Sequence, residues 1–291
     1  MKKQGFILEI AHAHYHLFRS IKICKKKIVN WVSKIAEEIK VIGLMNTQLA
    51  IKDEKIYVLE VNPRASRTVP FVAKARGIPI AKIAAKIMTG DLLEEILTDN
   101  DNKKLETFNV KESVFPFNKF DGVDLVLGPE MKSTGEVMGI DTTFLSAFAK
   151  SQIACGTILP SKGKVFISID DDNKKFILAI VKKLINLNFK IVATKGTAKF
   201  LNDHNQKVET INKVKEGGSH IVNAISDNKI DLVINTTKTQ GSIRDSYSIR
   251  RTALTFNIPY YTTIAGAKVA VDTIEHLIIN NLKVKSLQDL I

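Results

Sequence analysis

Cysteine is nearly missing from this chain. Cys24 and Cys155 are the two among 291 residues, without ligand or redox spacing, which excludes a disulfide framework, a cysteine-built metal site and thiol redox chemistry. Long apolar runs are missing as well: none approaches the roughly 18 residues of a membrane span. The first residues lack the charged start, apolar middle and small-residue cleavage site of a signal peptide, so a cytoplasmic chain is expected. Aromatics are few, at 7%, and are not interleaved with the lysines. Acidic charge falls short of basic charge, giving +13, and a clustered basic face would bind phosphate backbones. Residues 1–40, however, hold nine Lys/Arg against three Glu, and the other lysines are scattered without a nucleic-acid motif. They read as solvated surface or as a complement to another, acidic domain; a nucleic-acid partner is not expected. What is present is a 45% hydrophobic chain, enough for about two globular domains.

The most informative segment runs from Tyr57 through Val58, Leu59, Glu60, Val61, Asn62, Pro63 and Arg64 to Thr68, Val69, Pro70 and Phe71. Glu60 and Asn62 are two apart, so on an extended chain both side chains share one face, where hard oxygens can hold Mg²⁺ against phosphate. Arg64 continues that face and can pair with phosphate through its fork. Gln48 sits in the earlier apolar run Gly43–Ala50, and Lys52-Asp53-Glu54-Lys55 reads as a hairpin turn. Gln48 and Glu60 are therefore expected to face one another. The competing reading is an Asn-Pro turn after an ordinary strand.

The longer string resembles the end of the ATP-grasp domain in the C-terminal half of the carbamoyl phosphate synthetase large subunit. The resemblance continues through Gly77-Ile78-Pro79-Ile80, Phe115-Pro116-Phe117 and Leu127-Gly128-Pro129-Glu130 to Gly139, and extends from about residue 28 to the end. It implies an ATP-dependent ligase that phosphorylates carbamate to carbamoyl phosphate for arginine and pyrimidine biosynthesis. In that family Gln48, Glu60 and Asn62 would hold Mg²⁺ or Mn²⁺ with ATP, and Arg64 would steady phosphate charge. Implied partners are the remaining part of the large subunit and a glutaminase small subunit. The glycine-rich phosphate loop and adenine pocket find no counterpart in this sequence, so the chain alone is expected to have no synthetase activity. A stand-alone effector-binding module is the alternative.

Residues 1–27 read differently. His12, His14 and His16 alternate and on a strand would share a face suited to a metal. Back-translated and read one base earlier, Met1–Ser20 is instead compatible with the family's own ATP-grasp segment, with Lys25-Lys26-Lys27 the place where the frame recovers. An out-of-frame segment is expected, with no evolved role for the histidines. From Ile28 to Ile39 an amphipathic helix leads into the Gln48 strand.

Further along, residues 78–97 show helical spacing, residues 99–104 a polar loop, and residues 128–139 are rich in turn formers. Asp141–Ile153 resumes helical periodicity, and residues 154–163 read as a linker between a first domain (28–153) and a second (164–291). The second alternates: strands Val165–Ile169, Lys190–Ala193, Val208–Ile211, Asp231–Asn235 and Tyr260–Thr262; helices Lys174–Leu187, Ala198–Asp203, His220–Ser226, Ser246–Phe256 and Ala267–Asn281. This predicts an α/β fold, a Rossmann-like parallel sheet covered on both faces, following an α+β ATP-grasp remnant.

Ligands of such sheets bind beyond the strands' carboxyl ends. Ser168, Lys174, Thr194, Thr197, Lys213, Asn235, Thr236 and Thr237 fall there, and Thr194-Lys195-Gly196-Thr197 opens a helix whose free N–H groups favour an anion. Ordinary capping by Thr and Asn is the alternative. The region is similar to the methylglyoxal-synthase-like regulatory domain of carbamoyl phosphate synthetases, which implies a nucleoside monophosphate effector such as UMP or IMP at these positions. Lys195 departs from that pattern. Asn235-Thr236-Thr237 stands where the lyase would need catalytic Asp, so lyase chemistry is not expected. The resemblance further implies that Glu112, Tyr260 and Thr262 form part of an ornithine site.

Overall fold

The structure is a computed structural model that describes residues 17–97, 107–115, 117, 135–216, 218, 220–237, 240–286 and 288–290. His12, His14 and His16, and most of the 128–139 stretch, lie outside the described residues. The chain divides into two compact units, Met1–Glu106 with Val284–Ile291, and Thr107–Lys283.

In the first unit α1 (Leu17–Glu38) precedes a two-stranded antiparallel hairpin, β1 (Asn46–Lys52) and β2 (Lys55–Asn62). Asp53 and Glu54 both take positive φ, 49° and 60°, the conformation that matches a two-residue turn to the twist of its strands. Cys24, Ile28 and Val32 recur every fourth residue on α1 and bury against Ile56, with Met45, Leu49 and Ile51 around them; this is one helix stripe on one sheet face. The helix begins well before Ile28, because Cys24 already belongs to the stripe.

Three helices follow: α2 (Thr68–Arg76), α3 (Ile80–Met88) and α4 (Leu93–Ile96). The continuous helical spacing expected over 78–97 is broken at Gly90, whose φ of 112° no helix accommodates. Ile78, Ile80 and Ile83 bury together, with Leu93 and Ile96 folding back onto them.

In the second unit β3 (Phe108–Val114) and β4 (Gly135–Asp141) form an antiparallel pair in register from Phe108↔Asp141 to Val114↔Gly135, and α5 (Phe144–Ala154) packs across them. Sequence periodicity placed Asp141 inside the helix; it ends β4 instead, and Thr143 caps α5 by accepting the Ser146 N–H. Of the strand pair, β4 falls partly in the stretch read as rich in turn formers, and β3 was not read as a strand.

The remainder alternates: β5 (Lys164–Ser168), α6 (Lys174–Asn186), β6 (Lys190–Thr194), α7 (Lys195–Asp203), β7 (Glu209–Ile211), α8 (Ile221–Ser226), β8 (Leu232–Asn235), α9 (Gln240–Asp245), α10 (Tyr247–Thr255), β9 (Tyr260–Tyr261) and α11 (Ile264–Ile279). Every strand pair is parallel, in the order β7-β6-β5-β8-β9. Alternate residues of β5 serve the two faces. Val165 and Ile167 join the core beneath α6, α7 and α11, while Phe166 joins the one beneath α8 and α10. A strand buried on both faces reads as an unbroken apolar run, which is why Val165–Ile169 was legible. The expected helix Ser246–Phe256 is preceded by α9, and α7 starts three residues before its expected Ala198, directly at the end of β6.

Candidate functional site

Register places Gln48 directly opposite Glu60 and Asn46 opposite Asn62, with a bulge between Gln48 and Leu49. Glu60 and Asn62 share a face: the Asn62 Nδ2 donates to Glu60 Oε1 at 2.6 Å. Glu60 and Asn62 thus touch at the bulged end of the hairpin, with Gln48 at the register position opposite Glu60. Arg64 follows in a bend; its backbone N–H donates to Asn62 O at 2.8 Å and its guanidinium to Ala65 O at 3.0 Å. The donor set, one carboxylate and two carboxamides, suits a hard divalent cation. The Asn62 carboxamide now offers its nitrogen to Glu60, and a half-turn of that group presents oxygen instead. Among the described residues no group of three or more His, Cys, Asp or Glu is placed to hold a metal, so a divalent ion here depends on amide oxygens and on oxygens from its ligand. Beside this cluster Tyr57, Val58 and Leu59 are exposed at 48%, 42% and 65%.

The second unit concentrates polar groups at the carboxyl ends of β5, β6 and β7. A cavity of about 230 Å³ there is lined by Ser168, Lys174, Thr194, Thr197 and Lys213, together with Ile169, Asp171, Lys195, Gly196 and Glu216. Thr194 Oγ1 lies 3.3 Å from both Ser168 Oγ and Thr197 Oγ1. Thr197 Oγ1 accepts the Ile169 N–H at 3.1 Å, tying the start of α7 to the end of β5. Thr194 precedes α7 without capping it through its side chain, so the first amides of that helix are left for an anion. Lys174 pairs with Asp171 at 2.5 Å, and Lys195 with Glu216 at 3.5 Å.

Asn235, Thr236 and Thr237 do not line this cavity; they stand beside it at the end of β8, where Asn235 pairs in register with Ser168. Thr236 N donates to Ser168 O at 3.0 Å, and Thr236 Oγ1 accepts the Asp170 N–H at 3.1 Å and donates to its carboxylate. Burial pushes the Asp170 carboxyl up, but the bonds from Thr236 and Asn173 outweigh it and hold the group below the usual range. Asn235 is 1% exposed and its Nδ2 has no hydrogen-bond partner among the described residues.

Glu112 on β3 accepts from Gln152 Nε2 at 3.1 Å, and Gln152 Oε1 accepts from the Tyr261 hydroxyl at 3.1 Å. This chain of bonds ends on Tyr261; Tyr260 packs on the other face of β9 against the core around Phe166, as the period of two requires. Thr262 is exposed just beyond. Burial raises the Glu112 carboxyl above its ordinary value, although the Gln152 bond opposes this. Burial and the Glu112 charge together lift the Tyr261 phenol well above its usual range and push the Cys155 thiol up to about 11, so Cys155 stays protonated and unreactive.

Asp171, Glu216 and Gln152 escaped sequence reading. The available signal for Glu216 was its place three residues after Lys213, where a turn brings it back; Asp171 and Gln152 carried none.

The chain is thus a helix-and-hairpin segment with a polar cluster, followed by a parallel-sheet domain with a polar cavity at its carboxyl edge. Residues 22–96 match the family described as carbamoyl-phosphate synthase L chain, ATP binding domain, and residues 176–262 match the MGS-like domain. The chain belongs to the carbamoyl phosphate synthase large-chain family. It is 51% identical to the carbamoyl phosphate synthase large chain of Rhizobium meliloti (strain 1021), over 87% of this chain and 22% of that protein. The large chain of Myxococcus xanthus (strain DK1622) is 50% identical over 88% of this chain and 24% of its own length. That of Pseudomonas syringae pv. tomato is 52% identical over 84% and 23%. The chain thus spans under a quarter of the length of these relatives. A crystal structure of methylglyoxal synthase from Elizabethkingia anophelis NUHP1 is 19% identical with a TM-score of 0.31, covering 39% of this chain and 79% of that one. No helix among the described residues is long and apolar enough to cross a membrane.

Proposed function

We propose that this chain is the effector-binding end of a carbamoyl phosphate synthase large chain, and that its second unit binds a nucleoside monophosphate in the cavity at the sheet's carboxyl edge. The observation that carries this is convergence. Three lysines, the hydroxyls of Ser168, Thr194 and Thr197, and the open amide end of α7 face one cavity. Each is a donor, and the dianion of a phosphate monoester offers only acceptors. Asn235, Thr236 and Thr237 border the same edge and would contact the rest of the nucleotide. Calorimetry with UMP and IMP on the full chain tests this. Lys213→Met is expected to weaken binding about tenfold, the worth of one charge-assisted bond; heat of binding unaffected by that variant would remove the reading.

In the first unit Gln48, Glu60 and Asn62 would hold Mg²⁺ or Mn²⁺ with ATP, and the ion would supply neutralisation of phosphate charge during phosphorylation of carbamate. Arg64 would steady the same phosphates. A single carboxylate binds a divalent ion weakly, so the cluster needs the rest of an ATP site beside it. The exposed apolar residues of β2 suit cover by the remainder of the large chain, and a glutaminase subunit completes the assembly. Purified alone and given ATP, bicarbonate and ammonia, the chain is expected to yield no carbamoyl phosphate; measurable product would overturn that expectation. Glu112, which Gln152 links to the Tyr261 hydroxyl, is proposed to meet the ammonium of an ornithine-like effector, with Thr262 beside it; Tyr260, on the other face of β9, would take part only through the backbone.

One observation favours a second reading, a regulatory module that acts in trans: the second unit carries its own two-faced core. Nucleotide binding that survives in the isolated chain, and that alters an intact synthase when the two are mixed, would distinguish it.

A further inference from the structure

Two lysines of the cavity are paired with acids of its lining, Lys174 with Asp171 and Lys195 with Glu216. Glu216 belongs to its wall: its N–H donates to Lys213 O at 3.0 Å, its Oε2 accepts the Lys213 N–H at 2.8 Å, and its Oε1 lies 3.5 Å from Lys195 Nζ. Backbone and side chain of Glu216 are therefore both bonded to the turn around Lys213, which holds the carboxylate at the wall. The Lys213 N–H, aided by the Lys195 charge, holds this carboxyl below the usual range. Asp171, the other acid in the lining, has a side chain 90% exposed, so solvent screens most of its charge. By formal charge, three lysines and two carboxylates line the cavity, a net of one positive charge to which the partial positive end of α7 adds. Solvent weakens Asp171 and Lys195 alike, their side chains being 90% and 62% exposed, and leaves Glu216 as the less exposed acid.

We propose that Glu216 sets the charge this pocket accepts, so that it seats one phosphate group and disfavours a polyphosphate. A phosphate monoester brings about −1.5 to −2 at neutral pH, which the net positive charge and the helix end offset. Each further phosphate adds negative charge against a wall that holds a fixed carboxylate. The inference rests on the nucleotide reading above and adds a selectivity to it; it also gives Lys195 a role, as the cation whose field Glu216 partly cancels.

The test is calorimetry on the full chain with inorganic phosphate and pyrophosphate, in wild type, Glu216→Gln and Glu275→Gln. Glutamine keeps an oxygen for the Lys213 N–H and removes only the charge. Glu275 pairs with Lys183 away from the cavity and controls for net charge. Wild type is expected to prefer phosphate. Glu216→Gln is expected to strengthen pyrophosphate binding about tenfold and phosphate binding about threefold, with Glu275→Gln changing neither. Equal gains for both anions, no gain, or a wild type that prefers pyrophosphate would overturn the proposal while leaving the phosphate pocket standing. Failure of wild type and variant alike to bind either anion, with circular dichroism intact, would take down the pocket reading and this one together.

Discussion

Glu112 carries a carboxyl whose proton is held more tightly in the folded chain than its ordinary value of 4.5 allows, because burial outweighs the bond from Gln152. Above pH 4.5 the folded state therefore binds more protons at this position than the unfolded state, and stability falls as pH rises through the raised value. Glu112→Gln keeps an acceptor for Gln152 Nε2 and has no proton to lose. Urea unfolding at a series of pH values is expected to show a shallower decline above pH 4.5 for the variant; identical slopes would contradict it. Thr197 is a second case. It is 2% exposed and receives the buried Ile169 N–H, so Thr197→Val leaves a donor without a partner and should cost about 1–3 kcal/mol in the same assay. Such residues differ in how well sequence reveals them. Ser168, Thr194 and Lys213 were legible because strand and helix alternation gathers strand ends at one edge. Glu216 was not, since an acid in a turn is ordinary until its distance to Lys195 is known. Gln152 joins Glu112 to Tyr261 across long sequence separations, and nothing local marks it.

At the scale of elements, Gly139 decides whether α5 can lie on β4. A Cβ built there would come within 1.9 Å of Ala147 O and 2.6 Å of Ser151 N, both backbone atoms of α5, so no side-chain rotation relieves the clash. Gly139→Ala is expected to cost about 3 kcal/mol or more, as overpacking against backbone does, and to lower the thermal midpoint accordingly. A midpoint within a degree or so of wild type would mean that α5 shifts freely, contrary to its fully buried Ala147. This glycine ends a stretch whose composition reads as turns; in the structure it lies in a strand, where it permits close approach. The partner strand β3 was invisible because no short turn connects it to β4. By contrast the hairpin of β1 and β2 was plain, with two apolar runs flanking a four-residue polar turn, and its register put Gln48 across from Glu60 as spacing required.

Over the whole molecule the two units differ in how their backbone is protected. In the second, Val165, Phe166 and Ile167 of β5 and Leu232, Val233 and Ile234 of β8 are all 0% exposed, within a sheet covered on both faces. In the first, the hairpin is covered on one face by α1, while Tyr57, Val58 and Leu59 meet solvent. Local opening of the hairpin exposes little that is not already exposed, so its free energy should lie far below that of the parallel sheet. Amide hydrogen exchange is expected to be slower in β5 and β8 than in β1 and β2 by about a hundredfold or more, a difference of about 2.7 kcal/mol. Adding UMP at about a hundred times its dissociation constant should raise protection of the sheet by a further ~2.7 kcal/mol where exchange proceeds by global opening of that unit. The hairpin, which opens on its own, should gain nothing. Equal protection of both sheets, or a nucleotide effect that reaches β1 and β2, would show that the hairpin is held by more than α1 and that the two units unfold as one.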